Sequence, residues 1–180
     1  MALSLIKSSS LASSAVAGVI QVKHTQVSTH STQALSANTD TLVSGFTVDI
    51  TPTSTSSIIR LDAQIFGEFD HSAMGHNNIF YFMRDTTKLA HTGTVQSSQQ
   101  SGVSAIAVTY VAASGNAATT PEAGMLSFFD TPSTTSQITY KLGFRGKQAG
   151  NLHINRTVDN ANASSEELGT SFISATEIAG

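Results

Sequence analysis

Four stretches of this chain place an apolar residue at every second position. That periodicity restricts the backbone to extended strands, because only a strand sends alternate side chains to opposite faces. Ile59, Leu61, Ala63 and Ile65 share one face, and Arg60, Asp62 and Gln64 take the other. Ile138, Tyr140, Leu142 and Phe144 alternate with Thr139, Lys141, Gly143 and Arg145. Phe46, Val48 and Ile50 alternate with Thr47 and Asp49, and Ile20 and Val22 with Gln21 and Lys23. A fifth stretch, "NIFYFMR" at 78–84, is apolar on both faces, which predicts a strand covered on both sides. Further strands are expected at 103–111, 124–129, 152–158 and 171–178, for about nine in all. The one candidate helix, "ASSEELG" at 163–169, amounts to a single turn with Ser164 or Ser165 as N-cap and Gly169 after its end. Gly146 and Gly150 bracket "KQA" and read as a hairpin turn.

Between strands the chain writes one corner twice. "DITPTSTSSIIRL" begins at Asp49, and "FDTPSTTSQITYKL" begins at Phe129. In each, an apolar run meets Thr-Pro, then a hydroxyl cluster, then a strongly alternating strand. Proline withholds an N–H and ends the ladder, and Ser and Thr hydroxyls bond nearby backbone to hold the turn. The pattern fits two connections of an antiparallel sandwich such as a jelly roll. The sequence between the corners does not echo, so this is not a true repeat.

The remaining composition narrows function by exclusion. Charged residues make up 12% of 180, about half the usual share, while Ser and Thr supply about a quarter. The net charge of −3 comes without a basic run, which predicts neither nucleic acid nor a membrane as partner. Cys is absent, so disulfides and thiolate metal sites are excluded. The opening "MALSLIKSSSLASSAVAG" is broken by Ser8, Ser9, Ser10, Ser13 and Ser14 and does not make a signal-peptide core. Leu3, Leu5, Ile6 and Leu11 are nonetheless more apolar than a solvated tail requires. Residues 1–17 are therefore read as an extended N-terminal arm that attaches to a partner surface, and residues 18–180 as the sandwich domain.

The two corners also carry a family likeness. "FTVDITPTSTSSIIRLDAQI", "FFDTPSTTSQITYKLGFR", "LHINR" and "FISATEIAG" resemble a family of marine tailed-bacteriophage virion structural proteins, usually labelled tail-fibre-like. The matching positions are Ile50 to Ser57, Asp130 to Ser136, Tyr140 to Leu142, Asn155-Arg156 and Glu177 to Ala179, in the family's order. The resemblance covers most of the chain from Val19 and is weakest between Asp85 and Ala123. It implies a β-sandwich on the surface of a phage particle, forming a homotrimer and contacting other virion proteins of capsid or tail.

Candidate chemistry is sparse. Glu68, Asp70, His71 and His76 lie close in sequence, but a polar loop explains them without a metal, as no His-x-His or regular ligand spacing occurs. Ser, His and Asp are present without a nucleophile elbow, and no phosphate-binding glycine loop appears. No enzyme and no cofactor is expected. Asn155-Arg156-Thr157 and Asn162-Ala163-Ser164 match the glycosylation sequon by coincidence of common residues. The expected function is a short trimeric fibre, spike or decoration protein held by its arm. The alternative is a module that binds a host-surface glycan, with Phe69, Tyr81 and Tyr110 as its aromatic contacts.

Overall fold

The computed structural model describes residues 18–70, 74, 77–91, 93, 99–106, 121–159 and 166–180. Ten strands are present among the described residues: β1 (Val19–Val27), β2 (Ser31–Leu35), β3 (Thr41–Ile50), β4 (Ile58–Phe69), β5 (Asn78–Arg84), β6 (Thr87–Leu89), β7 (Glu122–Asp130), β8 (Ile138–Gly146), β9 (Gly150–Ile154) and β10 (Ser171–Ile178). They form two antiparallel sheets. Sheet A follows the order β1-β10-β4-β9-β2, with β7 also paired to β4, and sheet B follows β3-β8-β5-β6. The protein is all-β, with no helix among the described residues.

The alternating faces of β3, β4 and β8 fall where the sequence puts them, while on β1 Ile20 and Val22 are exposed and Gln21 turns inward. Ile59, Leu61, Ala63 and Ile65 of β4 are buried in one cluster with Tyr140, Leu142 and Phe144 of β8. Phe69 and Phe144 join the two sheets through tilted rings 5.5 Å apart. Arg60 is exposed, and Asp62, Lys141 and Arg145 are half-buried on the outward faces. On β5, Phe80 and Phe82 enter the core while Tyr81 is buried on the opposite face. There Tyr81 lies across Gly143, where a Cβ would stand 2.2 Å from the ring. The Lys88 Nζ caps the ring at 4.0 Å from its centroid. "NIFYFMR" is thus covered on both sides, as its composition requires.

β4 is the hub of sheet A. One edge pairs with β7 from Ile59 to Gly67. The other edge is shared end to end by β10, against Ile58 to Gln64, and β9, against Gly67 to Phe69. The gap between β10 and β9 falls at Phe66. Its N–H donates to Ser171 Oγ at 2.9 Å, and its carbonyl accepts the Asn155 N–H at 2.8 Å. At Gly67 the β9 backbone comes so near that a Cβ would stand 2.2 Å from the His153 carbonyl oxygen.

The doubled corner now has a geometric meaning. One copy carries the chain from sheet B to sheet A (β3 to β4), and the other from sheet A to sheet B (β7 to β8). They lie side by side, because Ile50 pairs with Ile138 in one sheet and Ile59 with Asp130 in the other. The local bonding repeats as well. The Ser56 N–H donates to Ser54 Oγ at 3.2 Å, and the Ser136 N–H to Thr134 Oγ1 at 3.1 Å. Each pair stands at the same offsets after its proline. The same sequence is used twice because two crossovers of opposite direction close one end of the molecule.

Three expectations are corrected. Gly146 and Gly150 do not bracket a hairpin: β8 belongs to sheet B and β9 to sheet A, so "KQA" spans between sheets. Within 103–111, the described part forms only an isolated bridge, Ser104 to Phe80, and 107–110 lie outside the described residues. In the candidate helix, residues 166–169 are not helical. Leu168 bridges Arg156, and the Gly169 N–H donates to the Asn155 carbonyl at 3.1 Å. Residues 163–165 lie outside the described residues. β2 and β6 add two strands to those the alternation predicts.

Candidate functional site

Among the described residues polar side chains reach the interior at several places: Asn78 bonds the Met74 carbonyl and the Ile106 N–H, and three larger groups also serve the fold. The Glu177 carboxylate is buried at the inward register of β10, against the first corner. It accepts the Thr53 N–H at 2.6 Å, the Thr53 hydroxyl at 2.7 Å, the Ser57 hydroxyl at 2.6 Å and the Gln21 amide at 2.6 Å. Burial opposes its charge, but the bonds from Ser57, Gln21 and Thr53 outweigh burial and hold its pKa at about 2. At the second corner, Asp130 accepts the Tyr140 hydroxyl at 2.7 Å and the Arg84 guanidinium at 2.9 Å. Burial first, then the bond to Asp130, keeps the Tyr140 phenol protonated. Each corner therefore hangs on one buried carboxylate.

The third place is the β9–β10 gap. Asn155 is buried with φ of 61°. Its Nδ2 donates to the Val27 carbonyl at 2.6 Å and the Thr29 carbonyl at 3.2 Å, and its Oδ1 accepts from Ser171 Oγ at 2.6 Å. Nearby, Glu68 accepts the Val158 N–H at 2.8 Å. His153 Nδ1 lies 3.2 Å from Thr32 Oγ1, which accepts from Arg156 at 2.7 Å. Burial, then the Arg156 charge, lowers the His153 pKa. These groups hold main chain and one another.

The predicted site residues separate accordingly. Phe69 and Tyr81 are each 1% exposed. Neither ring offers a face to a glycan, a correction whose cause is core packing for Phe69 and the Gly143 contact for Tyr81. Tyr110, the arm residues Leu3, Leu5, Ile6 and Leu11, and the ligand candidates His71 and His76 lie outside the described residues. Glu68 and Asp70 are not brought together as ligands. Glu68 binds the Val158 N–H, and Asp70 holds both the Asn151 N–H and its side-chain amide, at 2.8 and 2.6 Å. Among the described residues no group of three or more His, Cys, Asp or Glu could hold a metal ion.

Two surface features remain. The first is the outward face of sheet A. The register aligns Phe129, Arg60, Thr176 and Val22 in one row across four strands, and Met125, Gln64, Phe172 and Gln26 in another. Phe129, Met125 and Val22 are 59%, 61% and 55% exposed, and Val19 and Ile20 extend the apolar area along β1. Arg60 of the first row is paired at 3.0 Å with Asp62, which stands between the rows. The second feature is a cleft of about 850 Å³ whose lining includes Asn38, Asn77, His91, Gln100, Ser101 and Lys147. Among the described residues no Phe, Tyr or Trp and no carboxylate lines it. Sequence reasoning passed over both: the face needs the strand order, and the cleft gathers four distant segments.

No family model matches this chain, and no curated protein is significantly similar to it in sequence.

Proposed function

We propose that this protein is a structural component of a tailed-phage virion. It is a jelly-roll-type sandwich displayed on the particle surface as a homotrimer and attached to capsid or tail proteins by its N-terminal arm. The observation that carries the reading is the outward face of sheet A. A sheet face with Phe129 and Met125 on one outer strand and Val22 on the other open to water is unusual for a chain that stays alone. Its occupant is a second copy of the same chain. The face is nearly neutral and carries its own Arg60–Asp62 pair, so copies meet there without charge repulsion. The family likeness of the two corner motifs points the same way. The reading assigns no catalysis and no cofactor.

Association is the first test. At micromolar concentration, light scattering should report a trimer. Phe129→Asp places a charge on the exposed face, where folding stability changes by no more than about 0.5 kcal/mol. The variant should remain folded and run as a monomer. A wild-type monomer, or an unaffected oligomer in the variant, would refute the assembly.

Attachment is the second. Residues 1–17 precede the first strand, and four aliphatic side chains buried on a partner are worth roughly 6 to 10 kcal/mol before ordering costs. Ordering the arm offsets much of that. One arm holds weakly, and three on one trimer hold through effective concentration. Deleting residues 2–16 should leave a folded oligomer that no longer joins particles. Normal incorporation of the truncated protein would contradict the attachment role.

A further inference from the structure

We infer that the amide-lined cleft is a carbohydrate-binding site, selective for a sugar that bears a carboxylate. The inference goes beyond the assembly reading and does not depend on it. The cleft gathers Asn38 from the turn between β2 and β3, Asn77 from the entry to β5, the 99–102 segment, and Lys147 from the exit of β8. Main-chain bonds fix these walls to one another. The Asn38 N–H donates to the Gly146 carbonyl at 2.7 Å, Lys147 to the Asn77 carbonyl at 3.0 Å, and His91 to the Gly102 carbonyl at 3.1 Å. Because backbone holds the walls, the side chains need not. Among the described residues the side chains of Asn38, Asn77 and Lys147 form no hydrogen bond.

The lining chemistry selects the ligand class. Amides and a hydroxyl offer donors and acceptors side by side, the complement of a ligand dense in hydroxyl groups. The volume is that of a small-molecule site and far exceeds a bare ion. Among the described lining residues Lys147 is the one lysine or arginine, so the favoured ligand carries an anionic group there. The Gln100 Oε1 atom is buried without a hydrogen-bond partner. A rotation of its flexible side chain presents it to a sugar hydroxyl, which supplies the missing donor. With no Phe, Tyr or Trp among the described lining residues, the site works by hydrogen bonds and the Lys147 charge.

The full-length protein should be screened on an array of uronate-containing, sialylated and neutral oligosaccharides, with inorganic phosphate as a soluble competitor. Binding confined to acidic glycans and indifferent to phosphate is expected. Lys147→Ala should weaken the bound acidic glycan roughly tenfold and leave its carboxyl-reduced form unchanged. Gln100→Ala should weaken both forms. Both variants should keep the wild-type circular dichroism spectrum. A silent array overturns the proposal. So does equal competition by phosphate, which would make the cleft a bare-anion site, or binding that neither substitution alters. Loss of trimer formation in Phe129→Asp leaves each of these outcomes readable, since the cleft and the sheet face share no residue.

Discussion

Glu177→Ala should lower stability by about 3 kcal/mol, the loss expected when a buried carboxylate leaves several donors unmatched. For a chain of this size that is a fall in Tm of about 6 to 12 °C. The donors concerned are the Thr53 N–H, the Thr53 and Ser57 hydroxyls and the Gln21 amide. The folded-state pKa of about 2 lies below the ordinary 4.5. The contribution is therefore complete above about pH 4.5 and disappears as pH falls toward 2. Denaturant melts across that range should show wild-type stability dropping more steeply than that of Glu177→Gln, which keeps an acceptor but no charge. Parallel pH profiles for the two proteins would mean that Glu177 is not the group that anchors the corner.

Asn155→Ala should cost about as much, roughly 3 to 4 kcal/mol, by a different combination. It strands the carbonyls of Val27, at the end of β1, and of Thr29, in the turn that follows, and removes the acceptor of Ser171, all at a fully enclosed position. It also forces alanine to a φ of 61°. Asn155→Gly separates the two effects, because glycine adopts that φ freely and restores no bond. Its loss should be smaller than that of alanine by about 1 kcal/mol. Equal losses in urea melts would show that the backbone conformation contributes nothing and that the hydrogen bonds carry the whole effect.

The strands of the core were legible because burial on one face writes itself as alternation, as in β4 and β8. β2 was not, because "STQAL" is an edge strand held by backbone bonds to β9, and its hydroxyls advertise a loop. β6 is three residues long, too short for a period to register. The misread hairpin at 146–150 fails for a related reason. Local turn chemistry shows that the chain reverses, and says nothing of which sheet receives the next strand. Phe69 and Tyr81 suggest glycan contacts by residue type, and type does not separate a platform from a core ring. Glu177 sits at the inward position of the Ser171, Ile173, Ala175 alternation, so the strand could be read. The carboxylate's partners could not, since Thr53 and Ser57 stand more than a hundred residues away.

The pairing pattern also sets a clock. Among the described strands only β5 and β6 are joined by a short connection and paired with each other. β4 waits for β7, β9 and β10, β8 for β3, and β1 for β10. Each of those ladders must close a loop of tens of residues before its first bond forms, so entropy is spent well ahead of any return. Folding on the slow side of the millisecond-to-second range typical of non-local β-proteins is the consequence. Throughout that interval the long, apolar β4 has both edges unpaired. At high expression this is the segment through which partly folded chains would find one another, before the finished sheets take it out of reach.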